Sequence, residues 1–127
     1  MASTFAVIEK LISLTKDRLK WEYIDENKAI LSKCNTLLEK IDTIVKNKSF
    51  YTQFGSGYFV ILSVDSFDNS IDGVFELYLV AIPSLSARDI TLLNSFNEAQ
   101  MELQRLLNLA IKQHPNTEDF LEEFMNS

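Results

Sequence analysis

Apolar side chains recur at three- and four-residue spacing over residues 4–19, at Phe5, Ile8, Leu11, Ile12 and Leu19 with Thr15 in phase, which places them on one side of a helix. Val7 and Leu14 widen that side to about half of the cylinder, more than a surface helix needs, so the helix is expected to be covered on more than one flank. Ser3 or Thr4 suits its N-cap. A short alternating segment, Lys20-Trp21-Glu22-Tyr23-Ile24, follows, and Asp25-Glu26-Asn27 supplies a second helix start. Over residues 28–47 the positions Ile30, Leu31, Cys34, Leu37, Leu38, Ile41, Ile44 and Val45 share one arc of about 140°, with Lys33, Glu39, Asp42 and Lys46 facing away.

The period then changes from helical to alternating. Residues 50–54 and 58–64 are aromatic and β-branched runs separated by Gly55-Ser56-Gly57, the signature of a hairpin. Residues 74–82 form a third run, apolar on both faces except at Glu76 and closed by Pro83, and residues 90–93 offer a weak fourth strand. Helical spacing returns at Phe96, Ala99, Leu103, Leu106, Leu107, Ala110 and Ile111, with Met101 and Leu109 off that face, and His114-Pro115 ends the helix. Asn116 or Thr117 then caps a final short helix that places Phe120, Leu121, Phe124 and Met125 on one side and acidic residues on the other. Strands grouped between helices predict a single α+β domain over residues 1–127. A three- to four-stranded antiparallel sheet from residues 50–93 is packed with an N-terminal helix pair (4–19 and 28–47) and C-terminal helices, the first over 96–113.

Charge changes this picture more than composition does. The 127 residues are 46% hydrophobic and 24% charged, ordinary for a globular domain. Residues 1–50 carry nine Lys/Arg against seven Asp/Glu, a net +2, whereas residues 51–127 carry three against eleven, a net −8. A strongly acidic surface repels phosphate backbones and lipid headgroups and attracts basic protein surfaces, so neither direct nucleic-acid binding nor membrane association is expected. With Cys34 the only cysteine there is no intrachain disulfide, and no secretory signal or membrane-length apolar stretch is seen, so a cytoplasmic location is expected.

Candidate chemistry is sparse. His114 is the only histidine, placed where a helix C-terminus favours a capping role over catalysis. Cys34 lies mid-stripe and reads as a small buried hydrophobe, unreactive for want of a nearby cation. Asp65, Asp68, Asn69 and Asp72 offer oxygen ligands to a hard cation, but their spacing is not that of an EF-hand and their residue types are those of a turn between strands. Gly55-Ser56-Gly57 lacks the Lys and Ser/Thr of a phosphate loop. No catalytic residue, metal site or cofactor is assigned.

The order Leu11-Ile12 with Thr15, then Leu19-Lys20-Trp21-Glu22, Phe50-Tyr51-Thr52, Gly57-Tyr58, Glu76-Leu77-Tyr78 and a late helix before a proline resembles a loose family of short, functionally uncharacterised bacterial and phage or mobile-element α+β proteins. The resemblance implies a helix, an antiparallel sheet and a packed C-terminal helix, and it brings no catalytic residues. Together these features lead to the expectation of a non-catalytic protein-binding module, of inhibitor, immunity or adaptor type. Asp65, Asp68, Asp72, Glu118, Asp119, Glu122 and Glu123 lie in two stretches without Lys or Arg and would meet a basic partner surface. The alternatives are a homo-oligomeric subunit associating through Met101, Leu109 and the wide first helix, and a small enzyme using carboxylates such as Asp65, Asp68 and Glu76.

Overall fold

A computed structural model describes residues 3–38, 42–66, 75–86, 88, 90–95, 97–115 and 117–127. The fold is α+β, with an antiparallel sheet sandwiched between helices. Helix α1 spans Thr4–Asp17, capped by the Ser3 hydroxyl, which accepts from the Ala6 N–H at 3.1 Å. Strand β1 (Glu22–Tyr23) and helix α2 (Lys28–Leu38) follow, the latter started by Asn27, whose Oδ1 accepts from the N–H groups of Ala29 and Ile30. Strands β2 (Asp42–Ile44), β3 (Phe50–Phe54), β4 (Gly57–Ser66), β5 (Glu76–Ile82) and β6 (Thr91–Leu92) build the sheet, and α3 (Gln100–Lys112) and α4 (Thr117–Met125) complete the chain.

Among the described residues the sheet has six strands, in the order β1-β3-β4-β5-β6 with β2 also on β4, rather than the three or four expected. Strand β6 is the weak fourth strand expected over residues 90–93, β1 is an added short edge, and β2 is a correction to the second helix. That helix ends at Leu38, and residues 42–44 pair antiparallel with β4, Ile44 opposite Val64. The helical phase of Ile44 was real but undecided: a strand places the same side chain in the same core as Ile30 and Cys34, and Thr43, Ile44 and Val45 are β-branched. The first C-terminal helix likewise starts at Gln100, not 96, because Asn97 and Ala99 adopt φ of 65° and 60°, outside helical space.

Strands β2 and β3 run along one edge of β4, separated by a 3-10 turn at Lys46–Lys48. Two buried serines satisfy the backbone at this break. The Ser49 hydroxyl donates to the Val45 carbonyl at 2.8 Å and accepts from the Ser63 N–H at 3.0 Å, while the Ser63 hydroxyl donates to the Lys48 carbonyl at 2.5 Å. The β3–β4 hairpin closes over Gly55-Ser56 with Gly55 at φ 61°, the single positive φ of a type II′ turn.

Strands β4 and β5 are apolar on both faces because both faces are covered. One core joins Ile8, Leu11 and Ile12 of α1, Trp21, Phe50, Ile61, Leu79 and the inner side of α3; the other joins Ile30 and Cys34 of α2 to Val60, Leu62, Val64, Val80 and Ile82. Alternation along β4 therefore serves two cores rather than a core and solvent.

Beyond β6, the edge of β5 is completed by side-chain amides. Asn94 accepts from the Leu79 N–H at 2.8 Å and donates to the Leu77 carbonyl at 3.0 Å, and Gln100 accepts from the Leu77 N–H and donates to its carbonyl, both at 2.8 Å. Asn94→Ala would leave the buried Leu79 N–H unpaired, and a stability loss of about 1–3 kcal/mol is expected, read as a lower urea midpoint. An unchanged midpoint would show that water replaces the amide.

Candidate functional site

The exposed apolar surface is concentrated at the C-terminus. On α4, Phe120 is 64% exposed, Leu121 51%, Phe124 65% and Met125 76%. These residues share one side of a nine-residue helix whose sequence, TEDFLEEFM, contains no basic residue. The pattern is that of a helix with a core to face, and the described residues supply none: transferring four such side chains out of water would be worth about 1.5–3 kcal/mol each before the costs of association.

The structure places the expected acidic residues unequally. Glu118, Glu122 and Glu123 are exposed on α4 beside the apolar side, and Asp119 belongs to the same helix. Asp65 is exposed on β4, opposite Thr43 of β2, on a separate element. Asp68 and Asp72, with Asn69, lie outside the described residues. Glu76 accepts from the Asn97 N–H at 2.6 Å, so its carboxylate holds the turn before α3. Among the described residues, no three His, Cys, Asp or Glu side chains gather as a metal site requires, and no helix is long and apolar enough to cross a membrane.

His114 is built into the frame rather than capping its own helix. Its Nε2 bonds the Trp21 carbonyl, and its ring lies 5.0 Å from that of Tyr23 and 5.8 Å from that of Phe50. Gln113 adds a two-way clasp, Oε1 accepting from the Trp21 N–H at 2.8 Å and Nε2 donating to the Leu19 carbonyl at 2.9 Å. Nothing in the sequence announced this clasp, which fixes the point from which α4 departs.

Cys34 is fully buried, as its place in the apolar stripe required, and burial pushes its thiol from 9.0 up to about 12. Tyr51, on the rim of a cleft with Arg18, Lys20 and Glu22, has its hydroxyl pKa raised by desolvation and then by the Glu22 and Glu26 carboxylates. Of the two apolar extras on α3, Met101 is 80% exposed, but Leu109 packs against the core between α1 and α3 and is not a free surface.

The flank of α1 that widens its apolar side, expected to be covered, is left open. Ile8, Leu11, Ile12 and Thr15 are buried, while Val7 and Leu14 are only half-buried and line a groove of about 310 Å³ with Lys10, Leu11, Phe54 and Phe59. The hairpin supplies the two aromatic walls. Compared with protein-family models, with curated proteins and with solved structures, the chain finds no match.

Proposed function

We propose that this protein is a non-catalytic protein-binding module, an inhibitor, immunity-type or adaptor protein, and that α4 is the element it presents. The observation that carries this reading is the exposure of Phe120, Leu121, Phe124 and Met125 on one side of a helix whose other side is acidic. Helix-in-groove recognition uses this arrangement, with apolar anchors at i, i+1 and i+4 entering a groove and charges at its rim. The anchors supply affinity, and the carboxylates supply steering toward a basic surface. The net −8 of residues 51–127 speaks against nucleic acid or an anionic membrane as the partner. In this reading the module acts in the cytoplasm and uses no cofactor.

The test is capture of partners by the immobilised full chain. Phe124→Asp is expected to abolish capture, since it places a charge where an apolar anchor must be desolvated. Glu122→Lys with Glu123→Lys is expected to slow association and to weaken its dependence on salt. Proteins retained equally by the wild-type chain and Phe124→Asp would overturn the assignment of α4.

A further inference from the structure

The groove on α1 and the apolar side of α4 are complementary in kind. The groove follows Val7, Lys10, Leu11 and Leu14, a two-turn seam roughly 10 Å long, and Phe120, Leu121 and Phe124 rise about 6 Å along α4, short enough to lie within it. Its one charged lining residue is Lys10; beyond it, exposed Arg18 and Lys20 are interspersed with exposed Asp17 and Glu22, so the positive charge at the groove itself is that of Lys10. Residues 118–123 carry four carboxylates and no cation. An acidic amphipathic helix matches that groove in both apolarity and charge.

The α4 of the same chain does not fill it: none of its described residues lines the groove, and Phe120, Leu121, Phe124 and Met125 remain exposed. Helices α1 and α3 run side by side in the same direction, Glu9 meeting Arg105 at 3.1 Å and Leu19 held by Gln113. On the α1 helical wheel, Glu9 falls on the α3 side, and Val7, Lys10 and Leu14 fall on the opposite flank. The groove axis is therefore two helix spacings from α3, roughly 16–20 Å.

We propose that a second copy of this chain fills the groove, α4 of each protomer lying along the α1 flank and hairpin of the other in a two-fold exchange. The proposal rests on the reading of α4 as the presented element and names its partner. Both exposed apolar surfaces are then covered at once, and Lys10 of each copy meets the carboxylates of the other.

Sedimentation velocity of the full chain over roughly 1–200 µM tests this. The wild-type protein is expected to approach twice the 14.6 kDa chain mass as concentration rises. Phe124→Asp is expected to remain monomeric, and Lys10→Glu to raise the dissociation constant at least about tenfold, equivalent to roughly 1.4 kcal/mol. Combining Lys10→Glu with Glu122→Lys and Glu123→Lys is expected to restore the dimer. All of these positions are exposed, and circular dichroism verifies that each variant folds. A wild-type chain that stays monomeric throughout overturns the exchange. So does a dimer lost in Phe124→Asp but indifferent to Lys10→Glu, which would seat α4 elsewhere. A monomer whose partner capture still depends on Phe124 sinks the exchange alone, whereas a monomer whose capture ignores Phe124 sinks the assignment of α4 as well.

Discussion

Trp21→Ala is expected to destabilise the domain by about 3–5 kcal/mol, a large part of the total for a chain of this size. Trp21 is fully buried between α1, α3 and the sheet and is among the largest side chains in the core. Its indole N–H donates to the Thr15 hydroxyl at 2.9 Å, and that hydroxyl donates in turn to the Leu11 carbonyl at 2.7 Å, so the ring sets the position of α1 as well as filling space. Its backbone is held from the other side by Gln113 and His114. Removing the ring thus opens a cavity at the point where α1, β1 and the end of α3 meet. Urea unfolding followed by circular dichroism measures the effect, since the only tryptophan is the one removed. Trp21→Phe keeps part of the apolar contact but loses the donor and one ring's volume, and a cost of about 1–3 kcal/mol, smaller than that of Trp21→Ala, is expected for it. Equal costs for the two variants would show that the hydrogen bond, not the packing, dominates.

Raising the pH from about 9 to about 12 is expected to lower stability progressively through Cys34, by on the order of 1 kcal/mol per pH unit. The folded state holds the thiol proton up to about 12 because burial disfavours the thiolate, whereas the unfolded chain releases it near 9.0. Across that interval the unfolded state binds fewer protons, so the equilibrium moves toward it as pH rises; below the interval both states are protonated and the contribution is complete. Cys34→Ala lacks this slope. The difference between wild-type and Cys34→Ala unfolding curves at several alkaline pH values isolates it from tyrosine and lysine titration. Parallel curves would contradict the burial of the thiol. At neutral pH the same burial makes labelling by a thiol reagent slow in the native protein and fast in denaturant.

What residue pattern alone settled about this protein is where interactions are local or strictly periodic. The hairpin at Gly55-Ser56 follows from a turn that needs a positive φ at its first position, and α1 and the body of α3 follow from one-sided apolar spacing over three or more turns. The burial of Cys34 follows from the apolar residues three and four positions away on α2. The acidic, amphipathic character of residues 117–125 was equally plain in the sequence.

Only tertiary structure decided the rest, because it depended on which distant groups became neighbours. Residues 42–44 fit a helical arc and an alternating strand alike, and the open edge of β4 selected the strand by offering a hydrogen-bonding ladder. The amides of Asn94 and Gln100 extend β5 across 15 and 23 residues of sequence, and His114 finds Trp21 across 93, pairings that no local spacing encodes. The same holds for the surfaces proposed to function. An amphipathic pattern specifies that a helix has an apolar side but not that anything covers it; packing buries that side in α1 and α3, leaves it open in α4, and leaves the groove beside Val7 and Leu14 unfilled.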